Sequence, residues 1–336
     1  MKLACAAIAL ALTIPAFAQN VKITPIGSHP GELCANDRAL VFEDPTGVRF
    51  LYDPAHNVTG GEDPRLGTIH LVLLTHMHGD HVGDQKLKAP GAGTCANSGR
   101  VPAPNSTTAE VVAAKNAVLV TTRAMAGFVS NKIRAMRGKP LPFCPQPAGT
   151  TTVPVEAMCS SRIDMGGVFT AKAADASQAV QITIVPAAHV NNAPPALLSE
   201  AERERLKADG AILDYGPPTG FVVKFTNGLV AYLSGDTAIH TEMKTVIHDF
   251  HKANLAVLNL GVNPGIFYSG AYAMNELVKP ASVILSHANE PVTEGGKLRA
   301  KSHTAALIKQ LKMPAHLAIS GRTMEFDGTG KCVAGC

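Results

Sequence analysis

Short apolar runs alternate along the chain with stretches of helical periodicity, and turn residues separate the two kinds of segment. The first half predicts strands at residues 21–25, 39–42, 48–52, 69–74 and 117–121. It also predicts helices at residues 107–115 and 124–136, and a short helix at residues 82–88. The run at 69–74 is mostly apolar, which is typical of a strand buried on both faces.

The second half of the chain continues this alternation. Residues 140–180 are irregular and predict a surface insertion that carries a hairpin, and residue 199 opens a charged helix with a capping box. The predicted strands are 180–185, 221–225, 229–233, 255–260, 282–285 and 316–319, and the predicted helices are 240–252, 271–278 and 304–311. Strands that alternate with helices predict an α/β fold.

Ligand-type side chains follow the buried strand at 69–74 directly. His76 and His78 are two residues apart, so an extended backbone places both on one side. Gly79 allows a tight turn, after which Asp80 and His81 point at a second place nearby. Zinc binds imidazole nitrogen and carboxylate oxygen, and manganese and iron accept the same ligands. The stretch therefore predicts a site that two metal ions share.

Three further candidates stand at the ends of later predicted strands. His189 follows the strand at 180–185, Asp236 follows 229–233, and His287 follows 282–285. One histidine after a strand is usually an ordinary surface or core residue, and one Gly-Asp pair is usually a turn. Their common position after a strand makes them candidates for the same metal site.

The residues from His76 to His81 resemble the HxHxDH signature of the metallo-β-lactamase superfamily. Residues 235–261 also resemble hydrolases related to L-ascorbate-6-phosphate lactonase, in which Gly-Asp-Thr precedes a helix, a strand and a glycine. The resemblance implies a four-layer αββα sandwich. It also implies one metal on His76, His78 and His189, a second metal on Asp80, His81 and His287, and Asp236 as a bridge between them.

In that family a water held between two cations is the nucleophile, and Asp80 orients this water or protonates the leaving group. The resemblance thus implies a hydrolase of a lactone or other small ester. A phosphodiesterase or β-lactamase-like hydrolase is an alternative, and a non-catalytic metal-binding or partner-binding protein is another. Asp236 argues against a dedicated β-lactamase, since those enzymes usually have Ser or Cys at this position.

Two segments, 86–180 and 190–219, are long for this family, and such loops form the walls of substrate sites. The substrate is therefore not carried over from the resemblance. The candidate wall residues are Asn191, Tyr215, Asn263, Tyr268, Asn289 and Glu290.

Composition fits one globular domain over residues 19–336, because 46% of the 336 residues are hydrophobic and 17% are charged. A net charge of +4 is too small to imply nucleic acid as a partner. A small molecule is the expected partner, and the sequence leaves the oligomeric state open.

Residues 1–18 read as a secretory signal peptide. Lys2 precedes an apolar segment, and residues 16–18 form an Ala-Phe-Ala cleavage site, so we expect Gln19 to begin a periplasmic or secreted protein without stable membrane insertion. Six cysteines then remain, which predicts disulfides of open connectivity. Cys144 can close a loop with Cys159, and Cys332 is close enough in sequence to pair with Cys336.

Overall fold

Two β-sheets stacked face to face form the centre of the computed structural model, which describes residues 19–145, 150–153, 158–161, 163–261 and 269–336. The predicted signal peptide lies outside the described residues. The strands are β1 Val21–Ile26, β2 Ala39–Glu43, β3 Arg49–Tyr52, β4 Leu71–Leu73, β5 Gln85–Leu87, β6 Arg100–Pro102, β7 Val118–Val120, β8 Thr150–Val153, β9 Val168–Ala173, β10 Val180–Pro186, β11 Thr219–Lys224, β12 Val230–Leu233, β13 Leu255–Asn259, β14 Ser282–Ser286, β15 Thr293–Glu294, β16 Lys297–Leu298, β17 Ala315–Leu317, β18 Met324–Phe326 and β19 Cys332–Ala334.

Helices cover the outer faces of both sheets. The α-helices are α1 Thr107–Lys115, α2 Arg123–Arg137, α3 Glu200–Asp209 and α4 His303–Ile308. Shorter helical turns span Gly79–Gly83, Pro195–Leu197, Met243–His248 and Ala273–Val278. Among the described residues we find no helix with the length and apolar character that crossing a membrane requires.

The order of the strands brings the ends of several strands to one edge of the sandwich. The first sheet runs β19-β18-β1-β2-β3-β4-β7, and the second runs β17-β14-β13-β12-β11-β10-β9-β8. Pairing is parallel along β3-β4-β7 and along β12-β13-β14-β17, and antiparallel at most other pairs. Parallel strands end at the same edge of a sheet, which is where open α/β sheets bind ligands.

The core consists of layers that follow the two-residue period of the strands. Phe42 and Phe50 face the second sheet and stack on each other and on Phe225, with ring centroids 4.7 to 6.1 Å apart. The alternate residues, such as Val41 and Leu51, face the other way and pack with the side chains of α1 and α2. The architecture is the predicted αββα sandwich.

Three predictions of local structure are wrong. Residues 82–88 are not a helix, because Gly83 adopts a φ of +81° that ends the helical turn, and β5 then pairs with β6. In the described part of the segment 140–180, β8 pairs in parallel with β9 and β9 pairs antiparallel with β10, so these strands extend the second sheet instead of forming a surface hairpin. The predicted helix 240–252 is reduced to the turn Met243–His248.

The sequence reading also missed β18 and β19. Both are three residues long and are separated by a Gly-rich turn, so periodicity has little to act on. β18 is held by pairing with β1 and by the buried side chains of Met324 and Phe326. Their position in the first sheet follows from long-range pairing rather than from local preference.

The predicted capping box of α3 is confirmed. The Ser199 hydroxyl accepts from the backbone N–H of Glu202 at 3.3 Å, and the Glu202 carboxylate accepts from the Ser199 backbone at 2.8 Å. The dipeptide Asn227-Gly228, a strong hairpin signal in the sequence, joins the antiparallel pair β11 and β12.

The six cysteines of the described residues form disulfides. Cys144 pairs with Cys159 and Cys332 with Cys336, as the sequence allowed, and Cys34 pairs with Cys95. The Cα atoms of the three pairs are 4.8, 6.2 and 4.9 Å apart.

We expect a chain that begins at Gln19 and is prepared from an oxidising compartment to show no titratable thiol after unfolding without reductant. The measurement is a thiol titration in denaturant, with a reduced sample as the control. Six free thiols in the unreduced sample would contradict the pairing.

Candidate metal centre

The seven predicted ligands converge at one edge of the sandwich. They come from the loop after β4, the helical turn Gly79–Gly83, and the loops after β10, β12 and β14. We call His76, His78 and His189 the first ligand cluster, and Asp80, His81 and His287 the second ligand cluster. Within each cluster, one ligand atom of every residue lies within 4.8 Å of the others, and Asp236 forms a third such group with His76 and His81.

Asp236 lies between the two clusters. Its Oδ1 atom is 3.2 Å from Nε2 of His81, and its Oδ2 atom is 3.2 Å from Nε2 of His287. The same Oδ2 atom is 4.0 Å from Nε2 of His189, which belongs to the first ligand cluster. The carboxylate therefore contacts the second ligand cluster and reaches towards the first.

Buried imidazole nitrogens at the centre are suited to metal ligation. The Nε2 atoms of His76, His81 and His287 find no well-aligned hydrogen-bond partner among the described residues. An unpaired buried polar atom is costly, so most of them bind a partner. A divalent cation would accept these lone pairs together with the carboxylates of Asp80 and Asp236. The residues present thus fit a divalent metal centre.

The electrostatics of His76 and Asp236 favour forms that can ligate a metal. Burial, followed by the charge of His81, lowers the pKa of His76 well below its usual value, so its imidazole is neutral. Burial opposes ionisation of Asp236, but the charges of His287 and His81 hold the pKa of that carboxyl well below its usual range. Metal ligands of these types bind as neutral imidazole and as carboxylate. Burial lowers the pKa of His81, but the charges of Asp236 and Asp53 raise it to about 9, so His81 would release a proton on binding a metal.

A layer of residues behind the ligands fixes two of the imidazoles. The Asp53 Oδ2 atom is 2.8 Å from Nδ1 of His81 and accepts a hydrogen bond from the Thr75 hydroxyl at 2.8 Å. The same hydroxyl lies 3.0 Å from Nδ1 of His76. A carboxylate on the outer nitrogen of an imidazole orients its inner nitrogen towards the metal. Asp53 is not among the candidate residues that the sequence pattern indicated.

Arg38 is a buried cation beside the second ligand cluster, and the sequence reading missed it. Its side chain has no solvent exposure, and Nη1 is 2.7 Å from Oδ2 of Asp80. Nε and Nη2 both donate to the carbonyl of Asn36 at 3.2 Å. Burial opposes ionisation of Asp80, but the Arg38 guanidinium holds the pKa of that carboxyl well below its usual range.

Gly261 provides the space for the imidazole of His287. A Cβ atom at Gly261 would lie 2.3 Å from the ring of His287, which is closer than real Cβ contacts. His287 itself has a φ of 51°, an uncommon conformation for a residue with a side chain. The same Cβ would also lie 2.7 Å from the backbone oxygen of His287, so rotation of the ring alone does not relieve the clash.

We expect Gly261→Ala to displace His287 and to weaken metal binding at the second ligand cluster by about 10-fold or more. Competition with a chromophoric chelator measures this change. Gly270→Ala is the matched control, because its Cβ would meet only ordinary contacts at 3.5 Å or more. Equal metal affinity in both variants would mean that the His287 ring is not confined by Gly261.

Two of the predicted wall residues have structural roles. Asn191 is 1% exposed, and its amide accepts from Met77 N at 2.7 Å and donates to Gly216 O at 2.9 Å. The carboxylate of Glu290 accepts from the backbone N–H of Thr304 at 2.8 Å and holds the first turn of α4. The polar groups of Asn191 and Glu290 are thus bonded within the fold, and their role as substrate walls stays a prediction.

The other wall candidates are distributed differently. Asn289 is exposed next to the second ligand cluster and donates to the carbonyl of Gly261 at 2.6 Å. Tyr215 packs edge-on against Phe128 of α2, with ring centroids 5.4 Å apart. Asn263 and Tyr268 lie outside the described residues.

Known proteins resemble the chain over most of its length. A UPF0173 metal-dependent hydrolase of Opitutus terrae is 26% identical over 281 residues, which cover 83% of this chain and 92% of the relative. A UPF0173 metal-dependent hydrolase of Archaeoglobus fulgidus is 25% identical over 283 residues, with 83% and 93% covered. No protein-family model matches the chain.

Solved structures superpose on most of the chain. The metallo hydrolase Igni18 of Ignicoccus hospitalis superposes with a TM-score of 0.55 at 19% identity, covering 92% of this chain and 99% of that protein. The chain has the metallo-β-lactamase fold. Zinc-bound PqqB of Methylobacterium extorquens superposes on this fold with a TM-score of 0.50 at 12% identity, covering 90% and 99%.

The predicted fold and the predicted class are therefore confirmed: this metallo-β-lactamase fold is similar in sequence to metal-dependent hydrolases. The branch related to L-ascorbate-6-phosphate lactonase, the metal ligands and the export of the chain remain predictions.

Proposed function

We propose that the protein is an exported hydrolase that holds two divalent metal ions and cleaves a lactone or other ester of a small molecule. The observation that carries this proposal is the position of Asp236, whose two carboxylate oxygens approach histidines of both ligand clusters. His76, His78 and His189 would hold one metal, and Asp80, His81 and His287 the other. Two such metals would activate a water and polarise the carbonyl that it attacks.

The chain's own residues orient this chemistry. Asp53 and Thr75 hold the imidazoles of His81 and His76 from behind, so their donor atoms need little rearrangement. Arg38 keeps Asp80 ionised, which suits a carboxylate that accepts a proton or orients a water. Donation of a proton from Asp80 to the leaving group is disfavoured by the same contact.

Zinc is the metal that we propose, with manganese or iron as alternatives, because the donor set is mixed imidazole and carboxylate. The zinc found in PqqB supports this choice. Export is supported by the signal-like residues 1–18 and by the disulfides, which persist in oxidising compartments.

The test is a substrate panel run on a chain that begins at Gln19, with bound metal quantified in the same samples. Lactones and small esters should be hydrolysed faster than a phosphodiester or a β-lactam, and His287→Ala should abolish this activity. A preference for the phosphodiester would favour the alternative enzyme class. No hydrolysis by protein that carries two metals would favour a binding protein and would overturn the proposal.

A further inference from the structure

The loop that carries His189 continues into Asn191 and Asn192, whose side chains contact the histidine motif at residues 76–81. The side chain of Asn191 accepts from the backbone N–H of Met77 at 2.7 Å. The Oδ1 atom of Asn192 is 3.2 Å from Nε2 of His78. Consecutive residues of one loop thus hold the backbone and a side chain of the segment that contributes His76 and His78.

The imidazole of His78 has a different neighbour at each nitrogen. Nδ1 is 3.3 Å from Nε2 of His189 and faces the first ligand cluster, whereas Nε2 faces the amide of Asn192. An amide oxygen only accepts, so Nε2 of His78 carries the proton and the lone pair of Nδ1 points into the cluster. The opposite orientation of the amide would place a proton on Nδ1, towards His189 and the metal position.

The backbone of Asn192 is itself held in place. It forms an isolated antiparallel bridge with Asp214, at the far end of the segment 190–219. The neighbouring Asn191 is buried and donates to the carbonyl of Gly216 at 2.9 Å. Both ends of this insertion, which was expected to form part of the substrate wall, are therefore fastened beside the first ligand cluster.

We propose that Asn192 is a positioning residue of the first metal position, which fixes the proton of His78 on Nε2 and presents Nδ1 as the ligand atom. This inference rests on the proposed metal centre. A polar group on the outer nitrogen of a ligating histidine fixes both the tautomer and the ring orientation. Loss of such a group typically lowers metal affinity about 10- to 100-fold.

Asn192→Ala and Asn192→Asp test this role through metal binding. We expect Asn192→Ala to weaken zinc at one of the two positions by about 10- to 100-fold in chelator competition, and to leave the other position unchanged. Asn192→Asp keeps an acceptor at the same place and should restore the affinity. Asn275→Ala, a remote asparagine that bonds Gln310 O, is the matched control.

The tautomer of His78 supplies a second readout in metal-free protein. Long-range 15N NMR should show the proton on Nε2 in the wild type and in Asn192→Asp, and a mixture of tautomers in Asn192→Ala. An unchanged tautomer together with unchanged zinc affinity in Asn192→Ala would overturn the proposal. If Asn192→Ala and Asn192→Asp lost zinc affinity equally and the tautomer of His78 were unchanged, Asn192 would act only through the structure of its loop. That result would also overturn the proposal.

The two hypotheses fail in distinguishable ways. A wild-type protein that takes up no metal overturns the proposed function, and the tautomer in metal-free protein then still decides whether Asn192 positions His78. A wild-type protein that binds two metals, with Asn192→Ala identical in both readouts, overturns only the positioning role.

Discussion

Asp236→Asn is expected to leave the fold intact and to lose metal and most of the hydrolytic rate. The substitution preserves size but removes a negative charge that lies within 3.2 Å of His81 and His287. Two divalent cations held by the two ligand clusters would then repel each other with no carboxylate between them. We therefore expect the protein to lose the second equivalent of metal. The rate should fall by more than the roughly 10- to 100-fold typical for a residue behind the ligands.

Metal analysis, hydrolysis rates and thermal unfolding on the same preparation measure this result. Asp249→Asn is the matched control, because Asp249 is an exposed carboxylate that pairs with Lys244 and belongs to neither ligand cluster. If Asp236 were only a turn residue, both variants would keep two metals and full activity. That outcome would leave the dinuclear centre without its bridge.

Arg38→Met is expected to destabilise the metal-free protein by about 3 kcal/mol, the low end for breaking a buried ion pair. The low end applies because the Asp80 side chain is 34% exposed and water partly compensates its charge. The variant also leaves the Asn36 carbonyl without its two donors. Urea unfolding of chelator-treated protein gives the difference in free energy.

The loss of folding stability in Arg38→Met should become smaller as the pH falls. Asp80 has a depressed pKa in the folded protein, so its contribution to stability is present above the ordinary value of 3.8 and is lost as the pH falls below it. The difference between wild type and Arg38→Met should therefore shrink at acidic pH. Arg38→Lys retains the positive charge and should lose less stability than Arg38→Met. If the difference in unfolding free energy between wild type and Arg38→Met were the same at every pH, the pairing of Arg38 with Asp80 would be contradicted.

Four of the seven candidate ligands were predictable because they lie within six residues. His76, His78, Asp80 and His81 follow one buried strand, and local geometry alone brings them together. His189, Asp236 and His287 required a further rule, that the ends of neighbouring strands meet at one edge of a sheet. The structure places all three at that edge, and their role as ligands remains to be tested.

The residues that hold the ligands were not predictable in this way. Asn192 is 114 positions from His78, and Asp53 is 28 positions from His81. Arg38 is one of 30 Lys and Arg residues and lies directly before β2 outside any regular element, so no pattern marks it as buried. Which remote polar group meets which ligand depends on the order and register of the strands.

Local patterns in the sequence were enough to predict most of the alternation of strands and helices, the histidine motif and the capping box of α3, because each depends on residues close together in the chain. The tertiary structure decided the pairing of β5 with β6, the addition of β8, β9, β18 and β19 to the sheets, and the burial of Arg38 beside Asp80. Short strands and buried ion pairs gain their stability from distant partners, and local propensity carries no information about those partners.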